Sequence, residues 1–281
     1  MFIDNLKCAL LYILPQHLIS RIVYAATRWE TRLKNPVTRW FVNFFDVDMA
    51  DAIETDPTAF KSFNAFFTRA LKPEARSIAA GDHVIASPVD GTISQVGEIK
   101  DGRILQAKGR DYSVSEFLLN EETAKHFQQG SFITLYLAPR DYHRIHMPMA
   151  GRLKSMTHVP GRLFSVAPFT VRALKKLFAR NERVNNLFET DHGLLLLSQV
   201  AAINVAAVET VWAGLITPPA GVSIHTTDYN NGDISLEKGQ EMGRFNMGST
   251  VILLFEHQVD WVAEATADAP VQLGQALGSI N

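Results

Sequence analysis

The residues best equipped for chemistry fall in three short stretches that lie far apart in the chain. The segment PRDYHRIHMP (residues 139–148) puts His143 and His146 three residues apart, with Arg140, Asp141, Tyr142 and Arg144 around them. An imidazole changes charge near neutral pH and serves as acid, base or metal ligand. No HExxH pattern and no nearby cysteine accompany the pair, so acid–base work is the expectation and a metal is not. A lone histidine at a strand end is usually just bonded to backbone. This pair sits in a dense polar neighbourhood, which is costly to bury without a use. The second stretch, SPVDGTI (87–93), offers Asp90, in an Asp-Gly pair that otherwise reads as an ordinary hairpin turn. The third, MGSTVILLF (247–255), sets Ser249 between a glycine and an apolar run.

Asp90, a histidine and Ser249 supply the parts of a carboxylate–imidazole–hydroxyl set. The serine lacks the GxSxG surroundings of the α/β-hydrolases, so a plain serine hydrolase is one reading among others. The Gly248–Ser249 bond suggests a different one. Glycine leaves its carbonyl unhindered and tolerates a strained backbone. A base that removes the Ser249 proton lets the oxygen attack the Gly248 carbonyl, and the peptide becomes an ester. β-Elimination then cuts the chain and leaves dehydroalanine, which hydrolyses to a pyruvoyl group. The serine becomes an electrophilic ketone.

The elements that must position these residues divide the chain into zones. Residues 1 to about 70 carry apolar residues at helical spacing, with Pro15 opening a second helix and Pro36 in a break after Asn35. SFNAFFTRALKPEARSI (62–78) reads as a helix ended by Lys72-Pro73, its Phe63, Phe66 and Phe67 stripe facing a core. From about residue 84 short β-like runs take over: VIASPVDGTISQV, SFITLYLA, GLLLLSQV, AAINVAAVETVWAG and STVILLFE. Residues 194–214 are apolar and long, but Ser198, Gln199, Asn204 and Glu209 interrupt them, so they read as two buried strands and not a membrane span. PFTVRALKKLFARNERV (168–184) reads as one basic amphipathic helix, and the last residues, ATADAPVQLGQALGSIN, as a frayed tail. The expected class is α+β: N-terminal helices, then a β-rich domain of sandwich- or barrel-like antiparallel sheets.

With 47% hydrophobic and 20% charged residues the composition is that of a globular protein, and a formal net charge of −2 does not point to nucleic acid. The single cysteine, Cys8, excludes an internal disulfide framework and fits a reducing compartment. The opening MFIDNLKCALLYILPQ lacks the charge pattern and cleavage site of a signal peptide. Residues 1–40 hold Lys7, Arg21, Arg28, Arg32, Lys34 and Arg39 against Asp4 and Glu30, with aromatic and aliphatic residues between. Such a segment suits an anionic membrane surface; it equally suits a helical extension packed on the body with solvated arginines.

Taken together, these stretches resemble the bacterial-type phosphatidylserine decarboxylases, which are pyruvoyl enzymes made as self-cleaving proenzymes. The resemblance is carried by FFTRALKPEAR (66–76), SPVDGTI (87–93), LYLAPRDYHRIHMP (135–148), GRLFSV (161–166), NERV (181–184), ETVWAG (209–214), EKGQEMGRFNMGSTVILLF (237–255) and the basic N-terminal helices. Met247 stands where the family usually has leucine, a residue of similar size. The resemblance implies that Asp90 and His146 act with Ser249 in self-cleavage after Gly248. It implies a β chain of residues 1–248 and an α chain of residues 249–281, held together without a covalent bond. The pyruvoyl group derived from Ser249 would form a Schiff base with the amine of phosphatidylserine, and decarboxylation would yield phosphatidylethanolamine, with no PLP and no metal. His143 is then the candidate for assisting decarboxylation or delivering a proton, and Tyr142, Arg140 and Arg144 for framing the substrate. Residues 1–75 become a membrane-docking region and 76–281 the catalytic domain, on the cytoplasmic face of the membrane, with a dimer as the family's habit. A pyruvoyl decarboxylase of another substrate and a non-enzymatic membrane-surface protein complete the alternatives.

Overall fold

Pro15 has no amide hydrogen to give, and it serves as the N-cap of the first described long helix, α1 (Gln16–Arg28). The computed structural model describes residue 8 and residues 11–203, 207–218, 222–229, 231–246 and 250–280, so Met247, Gly248 and Ser249 lie outside the described residues. Helix α2 (Lys34–Phe45) follows. Pro36 falls inside its first turn and not in a break, because the first turn has no use for the missing amide hydrogen. Helix α3 (Phe63–Phe67) is capped by the Ser62 hydroxyl, which accepts from the Ala65 amide. The helix expected over 62–78 is thus cut to one turn and a half. The Thr68 hydroxyl donates back to the Asn64 carbonyl, and Leu71 forms a bridge with Ala52. The phenylalanine stripe packs as expected: Phe63, Phe66 and Phe67 are buried with Phe41 and Val47 in a small core of their own.

Short strands make up most of the rest. In chain order come β1 (Val84–Ala86), β2 (Gly91–Glu98), β3 (Arg103–Ala107), β4 (Arg110–Ser113), helices α4 (Val114–Leu118) and α5 (Glu121–His126), then β5 (Ser131–Tyr136), β6 (Arg144–His146) and β7 (Gly151–Val159). Helices α6 (Pro168–Ala173) and α7 (Leu177–Arg180) precede β8 (Arg183–Thr190), β9 (Gly193–Val200), β10 (Val208–Thr210), β11 (Gly214–Thr217) and β12 (His225–Asp228). The chain closes with β13 (Ser235–Leu236), β14 (Glu241–Phe245), β15 (Thr250–Phe255), β16 (Asp260–Trp261), β17 (Pro270–Val271) and β18 (Ala276–Ser279). The large sheet runs β12-β7-β8-β9-β15-β5-β2-β17, with β13 beside β7. A second sheet is ordered β11-β10-β14-β6 and a third β1-β18-β16. Among the described residues every pairing of named strands is antiparallel, so the molecule is a β-rich α+β fold.

Strand β15 lies in the middle of the large sheet, hydrogen-bonded to β9 on one side and β5 on the other. All six of its residues are buried, which is why VILLF is continuously apolar and does not alternate. The two strands expected in 194–214 are β9 and β10; residues 204–206 between them lie outside the described residues.

Two expectations fail for reasons visible in the packing. The single helix over 168–184 is two, because the buried Gln106 side chain occupies the break. Its Nε2 donates to the Val171 and Leu174 carbonyls, and its Oε1 accepts from the Leu177 amide. The tail is not frayed: β17 pairs with β2, β18 pairs with β1 and β16, and Val271, Leu273, Leu277 and Ile280 are buried. Among the described residues no helix is long and apolar enough to cross a membrane.

Candidate active site

Strands β1 and β2 belong to different sheets, so SPVDGTI is a crossing between layers and not a hairpin turn. The crossing runs against β6: the His146 amide donates to the Pro88 carbonyl at 2.9 Å. Gly91 is required next, since a side chain there would meet the Tyr136 carbonyl oxygen at 2.4 Å. This close approach sets Asp90 at the end of β2, beside β5.

The Asp90 carboxylate is held by an arginine. Arg76 Nε donates to its Oδ1 at 3.0 Å and Arg76 Nη2 to its Oδ2 at 2.6 Å, a bidentate pair. The Leu273 amide gives a third bond to Oδ1 at 2.8 Å. Arg76 also donates to Asp51 Oδ2 at 2.6 Å, which ties the segment after α2 to the same carboxylate. These groups, with Arg69, Arg140, Asp141 and Tyr142, line a polar cavity of about 180 Å³.

His146 is oriented by a main-chain carbonyl and not by Asp90. Its Nδ1 lies 2.8 Å from the Gly239 oxygen, which accepts only, so Nδ1 carries the hydrogen. Nε2 then holds the lone pair and accepts from the Tyr142 hydroxyl at 3.1 Å. Burial pushes the Tyr142 pKa up to about 12, which keeps that hydroxyl a donor. Burial lowers the His146 pKa, against the opposing pull of the Gly239 bond and the Glu241 and Asp90 charges.

His143 occupies a different setting. It is fully buried, with the Phe67 ring centroid 4.2 Å away. Its Nδ1 donates to the Asp141 carbonyl at 2.8 Å, and its Nε2 finds no hydrogen-bond partner among the described residues. Burial brings its pKa down to about 3, with the Arg69 charge adding to the fall, so the ring is neutral with a bare lone pair at Nε2. The His143 carbonyl accepts from the Phe245 amide at 3.0 Å, one residue before Asn246. Asn246 and Thr250 are the described neighbours on either side of the Met247–Ser249 triplet. Both are buried, and Asn246 Oδ1 and Thr250 Oγ1 also lack partners among the described residues. Asn246 Oδ1 and Thr250 Oγ1 thus flank the triplet, each at a cost of about 1–3 kcal/mol if left unfilled.

The predicted residues fall into two groups. His143 bonds through its carbonyl to Phe245, one residue before Asn246. Asp90, Tyr142 and His146 cluster at the far end of β6, where His146 is opposite Glu241. Glu241 is five residues from Asn246, about 16 Å along a strand. Of the remaining predictions, Arg144 is engaged by the Thr68 carbonyl and Glu241, and Arg140 points a largely exposed side chain at the polar cavity's rim. Ser249 and Gly248 lie outside the described residues. Sequence reading missed Arg76, although it sits in the FFTRALKPEAR stretch, because nothing local announces an ion pair to a residue fourteen positions on. It missed Asn246 and Gly239 for the same reason. Among the described residues no cluster of three or more His, Cys, Asp or Glu side chains is arranged to hold a metal ion.

A family model described as phosphatidylserine decarboxylase matches residues 63–279, and a second model, described as PSD, matches residues 6–46. This chain belongs to the phosphatidylserine decarboxylase family. It is accordingly a carboxy-lyase. It is 56% identical over 255 residues to the phosphatidylserine decarboxylase proenzyme of Alkalilimnicola ehrlichii, covering 90% of this chain and 88% of that one. It is 50% identical over 285 residues to the proenzymes of Shewanella sp. strain W3-18-1 and Shewanella putrefaciens, covering 99% of each chain in both comparisons. The matched regions take in both groups of site residues and the triplet.

Proposed function

We propose that this family member is a self-processing proenzyme that converts phosphatidylserine to phosphatidylethanolamine and CO₂, with a pyruvoyl group formed from Ser249. The observation that carries the reading is the set of buried atoms without partners among the described residues: Asn246 Oδ1 and Thr250 Oγ1 on either side of the triplet, and His143 Nε2, whose own carbonyl bonds the Phe245 amide. The Ser249 hydroxyl, and later the substrate ammonium, are donors for His143 Nε2 and Asn246 Oδ1, and a reacting carbonyl oxygen is an acceptor for the Thr250 hydroxyl. A pyruvoyl group supplies an electron-withdrawing ketone that takes up the electrons left when CO₂ departs.

His143 is the base that this arrangement favours. In self-cleavage its Nε2 takes the Ser249 hydroxyl proton as the oxygen attacks the Gly248 carbonyl. In turnover the same nitrogen takes a proton from the substrate's ammonium and returns it to the α-carbon after CO₂ has left. An anionic head group beside the ring raises its pKa toward the working range. Asp90 and His146 are positioning residues for this step. Asp90 anchors the crossing through Arg76 and Leu273, and His146 bonds that crossing at Pro88 and also Gly239 and Tyr142, which fixes β6 directly after His143. Replacing His146 by Gln is expected to slow self-cleavage about tenfold, as the loss of the Tyr142 bond loosens the segment that follows His143. The wild-type rate is expected to fall in acid, below the ordinary imidazole value of 6.5, as Nε2 gains a proton and releases Tyr142. That acid limb should vanish in the variant; a limb that persists assigns it to another group.

The short chain produced by the cut, residues 249–281, would stay bound. It supplies β15, β16, β17 and β18, and the burial of Val251–Phe255 alone is worth on the order of 10 kcal/mol. The deciding measurement is the intact mass of the purified, denatured protein. Two species, matching residues 1–248 and a pyruvoyl-capped 249–281, are expected; one full-length species from folded protein would overturn the reading.

Residues 1–75 form the docking region in this proposal, on the surface of an anionic membrane. Leu18, Ile22 and Trp29 of α1 and its end, and Leu33, Val37, Trp40 and Phe44 of α2, are all exposed. A continuous apolar stripe of this kind marks a lipid or protein contact, and the exposed Arg21, Arg32 and Arg39 beside it favour anionic lipid. Trp40→Glu with Phe44→Glu is expected to weaken binding to phosphatidylglycerol vesicles by about 10²-fold or more, with self-cleavage intact. Vesicle co-sedimentation at wild-type levels would remove the region from this role.

A further inference from the structure

The chain that leads into the triplet is gripped twice by β10. The Asn246 amide donates to the Ala207 carbonyl at 3.0 Å, just before that strand. The Asn246 side chain repeats the contact: Nδ2 donates to the same carbonyl at 3.3 Å and to Glu209 Oε1 at 3.0 Å. A carbonyl and a carboxylate accept and do not donate, so these two partners settle which end of the side-chain amide is nitrogen. Nδ2 is spent on β10. Oδ1 is left as a buried acceptor without a partner among the described residues.

Glu209 is itself held from several sides. On β10 it lies opposite Arg244 of β14. The two strands approach closely because residue 243 is glycine; a side chain there would collide with the Glu209 carbonyl oxygen. Gln199 Nε2, from β9, donates to that same oxygen at 3.3 Å. At the carboxylate, Arg28 Nη2 from the last turn of α1 donates to Oε1 at 3.3 Å, and Arg244 Nε stands 3.9 Å from Oε2. Arg28 is steadied in turn by the Tyr24 ring, whose centroid is 3.8 Å from its guanidinium carbon. A half-exposed glutamate is ordinarily free to move. This one is fixed by two guanidinium groups while it serves a single amide.

We propose that Glu209 is a positioning residue for self-cleavage. It locks the Asn246 amide with its oxygen turned away from β10, and that oxygen receives a donor of the Gly248–Ser249 unit and holds the unit in reach of attack. A carboxylate opposite the amide admits one orientation, because the reversed amide would set two acceptors against each other. Without Glu209 the Ala207 carbonyl alone holds Nδ2, at 3.3 Å, and the amide is free to turn. The inference rests on the self-processing reading of the previous subsection, and adds the pair that orients the peptide to be cut.

The test follows the uncut chain by intact mass after cell-free synthesis of the full-length protein. Glu209→Ala is expected to slow self-cleavage about tenfold or more, the loss of one charge-assisted bond. Asn246→Asp sets two carboxylates face to face and is expected to slow it by about 10²-fold. The discriminating variant exchanges the partners. Glu209→Gln with Asn246→Asp keeps the charge of the pair; the glutamine amide donates to one aspartate oxygen and leaves the other as the bare acceptor. The exchange is expected to recover about tenfold over Asn246→Asp alone. Mere loosening of the strand would not be repaired by reversing the direction of a bond. Hydroxylamine at neutral pH cuts a Gly248–Ser249 ester and leaves the peptide, so uncut Glu209→Ala chain should resist it. Wild-type cleavage in Glu209→Ala overturns the proposal. So does an exchanged pair no faster than Asn246→Asp, or uncut chain that hydroxylamine splits, which would place the loss after the ester. Should Glu209→Ala or Asn246→Asp fail to fold, Glu209→Gln alone decides: it is isosteric at a side chain 28% exposed. Its amide serves either orientation of Asn246, so cleavage should slow about threefold or more, and a wild-type rate overturns the proposal. Failure of the self-processing reading would show separately, as a single mass from wild-type protein.

Discussion

Replacing His143 by Asn is expected to lower both self-cleavage and phosphatidylserine turnover by about 10²–10⁴-fold, the usual contribution of a positioned acid–base group. Asparagine is the informative choice. Its amide nitrogen can keep donating to the Asp141 carbonyl, as His143 Nδ1 does at 2.8 Å, while the basic Nε2 disappears. Cleavage is read as the mass of uncut chain against time, and turnover as CO₂ released per cleaved molecule. Wild-type cleavage with lost turnover would confine His143 to the second reaction and assign the serine's proton to another base.

The same variant carries a pH signature. Folding holds the His143 pKa at about 3, below its ordinary 6.5. Below pH 6.5 the unfolded chain takes up a proton that the folded chain refuses. Stability from this group is therefore full above that pH and is lost as pH falls toward 3, at about 1.4 kcal/mol per pH unit. His143→Asn lacks this loss. Its stability in urea should depend less steeply on pH, by about that amount, between about pH 6 and pH 4. Identical slopes would mean that His143 is not held neutral.

Asp90→Asn is expected to slow self-cleavage by about 10²-fold and to cost about 3 kcal/mol of stability. The stability loss has a definite source. Arg76 and Asp90 are each only 13% exposed, and breaking such a pair from one side leaves a charge without its partner. The value sits at the low end for buried pairs because Arg76 keeps Asp51. The kinetic loss follows from geometry. Asp90 anchors the crossing whose Pro88 carbonyl holds the His146 amide, and a displacement of about 1 Å at a reacting group costs about 10²-fold. Arg76→Met together with Asp90→Asn separates the two effects. Removing both partners should restore most of the stability, while cleavage stays slow because the crossing is still without its anchor. Wild-type cleavage in the double variant would make Asp90 purely structural.

The candidate residues were legible in the sequence because the chemistry they offer is local. His143 and His146 within PRDYHRIHMP, Asp90 before a glycine, and a Gly-Ser bond ahead of an apolar run are each recognisable without a fold. The buried strand Thr250–Phe255 was legible too, since a strand covered on both faces must be apolar at every position. The phenylalanine stripe of Phe63, Phe66 and Phe67 was legible through its helical spacing, which survives even though the helix is short.

What the sequence could not determine depends on partners brought from elsewhere in the chain. The helix over 168–184 has sound local propensity, but one buried glutamine from residue 106 offers its backbone better-placed bonds and breaks it. The tail from residue 265 looks polar, yet strand pairing with β1 and β2 recruits its few apolar residues into the core. Both histidines have the same chemistry in isolation. Only the tertiary structure sets one in a dry pocket with Nε2 unpartnered among the described residues and ties the other to Gly239 and Tyr142, because desolvation and hydrogen bonding at a distance, not residue type, set the state of an imidazole.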